Sequence, residues 1–454
     1  MRLGFVIVSA LPLFAQAPLT LSHAVELALT QYPSIRIANE QTRVAAAQIG
    51  LARTAYLPRV DALGQVNAAT HNNVFGTLLP QPLAVIPTLS GPVLRTNGIG
   101  PVWGTAVGVL ASWEPFDFGR RKAAVASAMA GRDRIEAEGE VTRLQVATVA
   151  ADAFLTLEAA LELERAALAA VDRAKALDTI VAALVKSELR PGAEVSRTRA
   201  ELAAARTQWI HAKQAIAVAR AELAQMTGGE VASIAGDVLL TTPGALDSRS
   251  GDSAIDTHPL LLAQRASIFE SKTREEILNQ SYKPKFTLEG AVSARGTGIQ
   301  PDGTKGNFVS GLGPNYQNWA LGLNVTFPLM DLFQIRAKKD AEAHRNLAEQ
   351  ARYKLFAVEL DAAKVKAKAN VDAAKEIAEN IAIQVDAART LEAQAKARYQ
   401  AGLNNITDLT DAERVLTQAE IDSALGRLNI WRAMLQLAAA EGDLAPFLKL
   451  AATQ

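Results

Sequence analysis

The sequence predicts a mixed α/β membrane protein that contains one plan twice: a helix, a β-hairpin, a very long helix and a shorter return helix. Two blocks recur in the same order and at the same spacing; the matching pairs are Pro33 with Pro259, Tyr56 with Tyr282, and Pro58 with Pro284. Each block passes from the alternating apolar pattern of strands to the three-and-four spacing of coiled-coil helices. Together these observations indicate an internal duplication.

The composition of the 454-residue chain excludes several classes of protein. Because it has no cysteine, the chain cannot be a disulfide scaffold, a thiol enzyme or a lipid-anchored lipoprotein. Its 47 basic and 47 acidic residues leave no net charge, which argues against a basic surface for nucleic acid. Aromatic residues make up only 5% of the chain, which favours long alanine-rich helices over a compact aromatic core.

The first residues have the layout of a secretory signal peptide, predicted at 1–17. Arg2 precedes an apolar run at 3–14, and Ala15-Gln16-Ala17 supplies the small residues of a cleavage site. The chain is therefore predicted to be exported. Past this segment we find no apolar run near the roughly 18 to 20 residues of a membrane-spanning helix, so any contact with a membrane is assigned to β-strands.

Turn signals and changes of period set the boundaries of the two repeats. The first repeat is predicted at 18–228, with a hairpin at 58–115, a long helix at 119–186 and a return helix at 194–227. The second is predicted at 252–442, with a hairpin at 284–328, a long helix at 332–401 and a return helix at 408–441. An equatorial inter-repeat linker at 229–251 and a C-terminal tail at 443–454 account for the remainder.

The long helices carry apolar seams of the coiled-coil type. The seam predicted in the first long helix is Ala147, Ala150, Phe154, Leu157 and Leu161. The seam predicted in the second is Leu355, Val358, Ala362, Val365 and Ala369. Taken alone, these helices would fit a soluble coiled coil equally well.

The strands distinguish a membrane protein from that alternative. Each is about ten residues long, enough to cross a bilayer when tilted. In the last strand the alternate apolar side chains are predicted to face lipid, namely Leu321, Leu323, Val325 and Phe327. Open sheet edges are excluded from hydrocarbon and bacterial barrels start at about eight strands, so four strands require several copies of the chain. Three or more copies are favoured, because an eight-stranded barrel is filled by its own side chains.

The sequence contains no constellation typical of an enzyme. Its five histidines occur singly, without the spacing of a metal site; they are His23, His71, His211, His258 and His344. The glycine-rich segment 296–313 joins two strands, so it is interpreted as a loop and not as a phosphate-binding turn. We therefore predict no catalytic residue, no metal and no cofactor.

Several short segments, taken in order, resemble the TolC-type outer-membrane efflux family over essentially the whole mature chain. They are Ala55-Tyr56-Leu57-Pro58, Tyr282-Lys283-Pro284, Pro115-Phe116-Asp117-Phe118-Gly119 and residues 399–408. The resemblance implies a homotrimer with a twelve-stranded transmembrane barrel, four strands from each chain, continuous with an α-helical coiled-coil barrel across the periplasm. It also implies a passive exit duct for efflux or secretion that works with a periplasmic adaptor and an energised inner-membrane pump.

Further expectations concern location and the alternative function. No cysteine lies near position 18, so the barrel alone is expected to hold the chain in the outer membrane of a Gram-negative-type bacterium, with no lipid anchor. The alternative is a periplasmic coiled-coil structural or adaptor protein without a pore, which would not need strands with a lipid-facing side.

The resemblance also assigns a site at the helix turns. In the family a Tyr-x-x-Gly turn is followed by Asp-x-x-Asp, whose aspartates ring the periplasmic entrance; Tyr399, Gly402, Asp408 and Asp411 match this pattern. Three chains would bring six carboxylates together and attract cations. From the residues alone, an equally good interpretation is helix capping, with Asp408 as the cap and Asp411 in the first turn.

The two turns differ from each other and from the family. Asn404 stands where the family member compared has a basic residue, and the first turn lacks the Thr-Asp pair, which leaves Glu194 and Ser196 as weak substitutes. The tips of both turns are expected to dock the adaptor; these residues are Pro191, Gly192, Gly402 and Leu403.

Overall fold

A computed structural model describes residues 18–70, 101–235, 257–299, 304, 306–327 and 329–452. The predicted signal peptide, most of the first hairpin loop and most of the inter-repeat linker lie outside these residues.

The described chain follows the order helix, hairpin, long helix and return helix in each half. The first half contains α1 (Leu21–Gln31), α2 (Pro33–Thr54), β1 (Arg59–Thr70), β2 (Pro101–Phe116), α3 (Arg120–Lys186) and α4 (Gly192–Thr227). The second contains α5 (Pro259–Gln280), β3 (Lys285–Thr297), β4 (Tyr316–Thr326), α6 (Asp331–Gln400), α7 (Ile406–Glu441) and α8 (Ala445–Ala452). The C-terminal tail expected at 443–454 thus contains a helix.

Helix α7 begins two residues before the predicted start, and the reason is its cap. Asn405 is the N-cap residue, and its side chain accepts a hydrogen bond from the backbone N–H of Asp408. Asp408 therefore lies in the first turn, where a carboxylate stabilises the positive end of the helix dipole. The interpretation of Asp408 as the cap is wrong.

Contacts divide the chain into two compact units. The first, mostly helical, comprises Met1–Arg43, Asp133–Ala266 and Gln350–Gln454, and the second comprises Val44–Arg132 and Ser267–Glu349. In the helical unit α1 packs against α4 and α8. The core includes Phe154, Trp431 and Phe447, each fully buried, and the last two rings meet edge to face at 5.9 Å.

The sheet lies in the second unit and has the order β1-β2-β3-β4, antiparallel throughout. Consecutive strands are therefore neighbours, and no other described strand pairs with the outer edge of β1 or β4. The register across the sheet brings apolar side chains of all four strands to one face; they include Val60, Ala62, Val107, Val109, Leu288, Val292, Leu321 and Leu323. The period of two predicted for these strands is confirmed.

Of the two apolar seams predicted in the long helices, one is buried in the structure and the other is exposed. The seam in α3 is confirmed, because Ala147, Ala150, Phe154 and Leu157 are buried and Leu161 packs against them. The seam predicted in α6 is wrong for the single chain: Leu355, Val358 and Val365 are between 53% and 69% exposed. Helix α6 instead buries a stripe of smaller residues, Ala367, Val371 and Ala374.

One helix contradicts the expectation about apolar runs. Among the described residues, α3 contains an 18-residue window that is long and apolar enough to cross a membrane. Of that window, 61% is buried inside the protein, and core helices of soluble proteins have the same composition.

Candidate functional site

The candidate site lies at two turns of the helical unit, between α3 and α4 and between α6 and α7. The second turn follows the left-handed pattern of a helix C-terminus: Gly402 has a φ of +75°, and the N–H of Leu403 donates to the carbonyl of Arg398 at 2.9 Å. A β-carbon at position 402 would meet no neighbour, so it is the backbone conformation that favours glycine there.

The tips of both turns are exposed. Leu189 and Leu403, one on each turn, are 69% and 72% exposed. The residues assigned to adaptor docking, Pro191, Gly192, Gly402 and Leu403, are likewise exposed.

Tyr399 joins the two turns from a buried position. It is 3% exposed, and its hydroxyl donates a hydrogen bond to Oε2 of Glu194 at 2.9 Å. The guanidinium of Arg190 lies 4.7 Å from the centre of the tyrosine ring and donates to the Tyr399 carbonyl at 3.2 Å. Arg190 also pairs with Glu194 at 3.9 Å. We call Arg190, Glu194 and Tyr399 the turn-to-turn contact.

The ionisation of Tyr399 suits its role as a donor. Burial and the hydrogen bond to the Glu194 carboxylate raise the pKa of Tyr399 to about 12, and only Arg190 opposes them. The phenol therefore keeps its proton and the hydrogen bond at neutral pH.

The two predicted gate aspartates have different surroundings. Asp408 is exposed, and its carboxylate has no hydrogen bond or ion pair with any other described residue. Asp411 accepts a hydrogen bond from Arg414 at 3.0 Å and lies 3.9 Å from Arg197 of α4. In the described part of the chain no hydrogen bond joins Tyr399 to either aspartate, so the structure groups Tyr399 with Glu194 instead.

Glu413, two residues beyond Asp411, is a titratable residue that the sequence did not single out. Burial raises its pKa to about 7, repulsion from Glu392 adds to the effect, and Arg173 and Lys396 oppose it. Of the other site residues, only Glu194 was predicted from the sequence. Arg190 and Arg414 lie four and three residues from Glu194 and Asp411, a local spacing of opposite charges that could have indicated both pairs. Arg197 had no such signal, because its partner Asp411 lies on another helix.

The sheet presents a second functional surface. On β4 and just beyond it, Leu321, Leu323, Val325 and Phe327 are 50% to 70% exposed. On the opposite face Asn324 donates a hydrogen bond to Glu289 of β3 at 2.8 Å. A soluble protein rarely exposes such a continuous apolar face.

Comparisons with known proteins match the chain to outer-membrane efflux proteins. The family model described as outer membrane efflux protein matches residues 24–229 and 251–443. Protein CyaE of Bordetella pertussis is 25% identical over 443 residues, which cover 94% of this chain and 84% of CyaE.

Solved channels share the fold. The open state of the Neisseria gonorrhoeae MtrE outer membrane channel aligns with a TM-score of 0.74 at 18% identity, covering 93% of this chain and 89% of that one. The Campylobacter jejuni CmeC outer membrane channel aligns with a TM-score of 0.72 at 17% identity, covering 93% and 85%. Both solved proteins are outer membrane channels. The chain belongs to the outer membrane efflux protein family.

Proposed function

We propose that three copies of the chain form a passive exit duct, a twelve-stranded barrel in the outer membrane continuous with an α-helical barrel across the periplasm. The observation that carries this proposal is a four-stranded sheet with two free edges and one exposed apolar face. In hydrocarbon those edges must be paired, and one chain cannot pair them alone.

The lumen that a duct needs favours three or more copies, and three is the number that the resemblance to the outer-membrane efflux family implies. Two chains would supply eight strands, and a barrel of that size is filled by its own side chains. Twelve strands leave room for a solute. The exposed stripe Leu355, Val358 and Val365 on α6 supplies an apolar surface for a neighbouring copy in the helical part.

The orientation follows from the two faces of the sheet. Leu321, Leu323, Val325 and Phe327 face lipid, and Asn324 and Glu289 face the water-filled lumen. The loops between the paired strands lie outside the cell. The two structural repeats, 18–228 and 252–442, arose by duplication, and the barrel holds the chain in the membrane without a lipid anchor.

The helix turns form the periplasmic entrance. Asp408 and Asp411 line it, and Tyr399 holds its turns together. The exposed tips Pro191, Gly192, Gly402 and Leu403 dock a periplasmic adaptor. The duct contains no energy source of its own in this scheme, so an inner-membrane pump drives transport.

Cysteine cross-linking tests the assembly on a background free of native thiols. Asp61 of β1 and Ala320 of β4 lie at one level of the sheet, through the register Asp61 to Leu110 to Ala291 to Ala320. Because closing a barrel shifts the strand register at the seam between chains, we expect the variant Asp61→Cys with Ala320→Cys, treated with thiol cross-linkers of increasing length, to give a ladder that ends at three chains in outer-membrane fractions.

The single-cysteine variants are the matched controls, and after boiling in SDS, which also dissociates an SDS-resistant trimer, they should run as monomers. A ladder that ends at two chains would contradict the trimer. Recovery of the protein in the soluble periplasmic fraction would instead support the coiled-coil adaptor alternative.

A further inference from the structure

The carboxylate of Asp411 lies between two arginines from different helices. Arg414 of α7 donates to it at 3.0 Å, and Arg197 of α4 lies at 3.9 Å. The Nε of Arg197 also donates to the Thr410 hydroxyl at 3.3 Å, which holds its guanidinium on this side of α4. Asp411 is therefore charge-compensated within its own chain.

A second carboxylate, that of Glu201, takes part in the same charge compensation. Arg414 also pairs with Glu201 of α4 at 3.5 Å. The carboxylates of Asp411 and Glu201 thus share the guanidinium of Arg414, Arg197 pairs with Asp411 alone, and this group of four residues carries no net charge. Asp408 remains outside it, exposed and without a partner among the described residues.

We propose that Arg197 and Arg414 are selectivity-determining residues, and that the entrance of the trimer presents three uncompensated carboxylates where a ring of six was expected. This inference rests on the proposed duct and its entrance. Beyond the few ångströms that separate paired charges their fields cancel, and what remains is screened over about 10 Å at 0.1 M salt. Of the two aspartates that each chain brings to the entrance, only Asp408 then contributes a net negative charge.

The consequence concerns the class of solute. An entrance with six free carboxylates would strongly repel anions, whereas one with three is a weaker barrier. Anionic and neutral solutes are therefore admitted alongside cations. The two arginines set this tolerance, since each cancels one carboxylate.

Neutralising the aspartates distinguishes an entrance with three uncompensated carboxylates from one with a free ring of six. In planar bilayers under a low-salt gradient, the wild type should pass K⁺ in preference to Cl⁻, and Asp408→Asn should bring the permeability ratio close to one. The double variant Asp408→Asn with Asp411→Asn should favour Cl⁻, because it leaves one net positive charge per chain. A free ring of six predicts a ratio near one for the double variant and continued K⁺ preference for Asp408→Asn, and that result would overturn the inference.

Neutralising either arginine should change the ion preference in the opposite direction, towards K⁺. Arg197→Gln and Arg414→Gln should each raise the K⁺ preference above that of the wild type. Arg199→Gln is the matched control, since Arg199 lies on the same helix, is exposed and has no ion pair in the described part of the chain. Equal ratios for the wild type and both arginine variants, in intact trimers, would refute the inference and leave the duct standing. A wild type that forms trimers but no conducting pore would instead refute the proposed function.

Discussion

Replacing Tyr399 with phenylalanine removes one hydroxyl from the turn-to-turn contact and keeps the ring under Arg190. The lost hydrogen bond joins a 3% exposed tyrosine to a Glu194 side chain that is 12% exposed, so solvent screens it little. A hydrogen bond to a charged group contributes about 1.5–3 kcal/mol. We take the proposed entrance to open only when this contact breaks; at about 1.4 kcal/mol per tenfold change, Tyr399→Phe should then shift the balance from closed to open entrance by roughly 10- to 100-fold.

Single-channel recording measures this shift as open probability and conductance in planar bilayers. The matched control is Tyr353→Phe on the same helix, which removes a hydroxyl bonded to Arg265 at 2.8 Å, away from the turns. We expect Tyr399→Phe to open more often than both the wild type and the control. An unchanged open probability in an intact trimer would show that the contact does not hold the entrance closed.

The remaining predictions concern the strand, a buried carboxyl and the core. Leu323→Arg should prevent formation of an SDS-resistant trimer, because a lipid-facing charge costs about 2–4 kcal/mol at the bilayer centre. Asn324→Arg should still assemble, since its side chain faces away from lipid and Glu289 can pair with it. Equal loss of the trimer in both variants would contradict the orientation of the strand. Burial raises the pKa of Glu413 from 4.5 to about 7, so the folded chain keeps a proton that the unfolded chain releases. Stability should therefore fall by about 1–3 kcal/mol as pH rises from 4.5 to 7, and Glu413→Gln should remove that fall in thermal unfolding scans; a pH dependence equal to that of the wild type would refute the assignment. Trp431→Ala empties a fully buried site and should cost about 3–5 kcal/mol in denaturant unfolding, while a loss below about 1 kcal/mol would show that the core collapses around it.

Local sequence patterns were enough to predict many of the helices, strands and turns. The alternation in β4 and the turn at Gly402 depend on residues near each other in the chain, so periodicity and turn chemistry were enough to predict them. The need for several copies also follows from the sequence, because four strands cannot close a barrel. The boundary of α7 was misjudged at the cap, since both Asn405 and Asp408 are capping residue types and only the backbone conformation distinguishes them.

Tertiary structure decided which of several equivalent patterns is used. Helix α6 carries a Leu/Val stripe and an Ala/Val stripe with similar spacing, and only the close packing of the chain shows that the smaller residues face inward. Tyr399 bonds to Glu194 and Asp411 lies near Arg197, in each case about 200 residues away in the chain, so no local signal indicates these two contacts. The pair of Asp411 with Arg414, three residues along the same helix, is local. The sequence by itself determined the helices and strands, which follow from local periodicity, and it predicted an assembly of several chains from the cost of unpaired backbone in lipid. The charge proposed for the entrance depends on the contact of Arg197 with Asp411 between two helices, because an ion pair requires two side chains within a few ångströms, a distance that spacing along the chain does not specify.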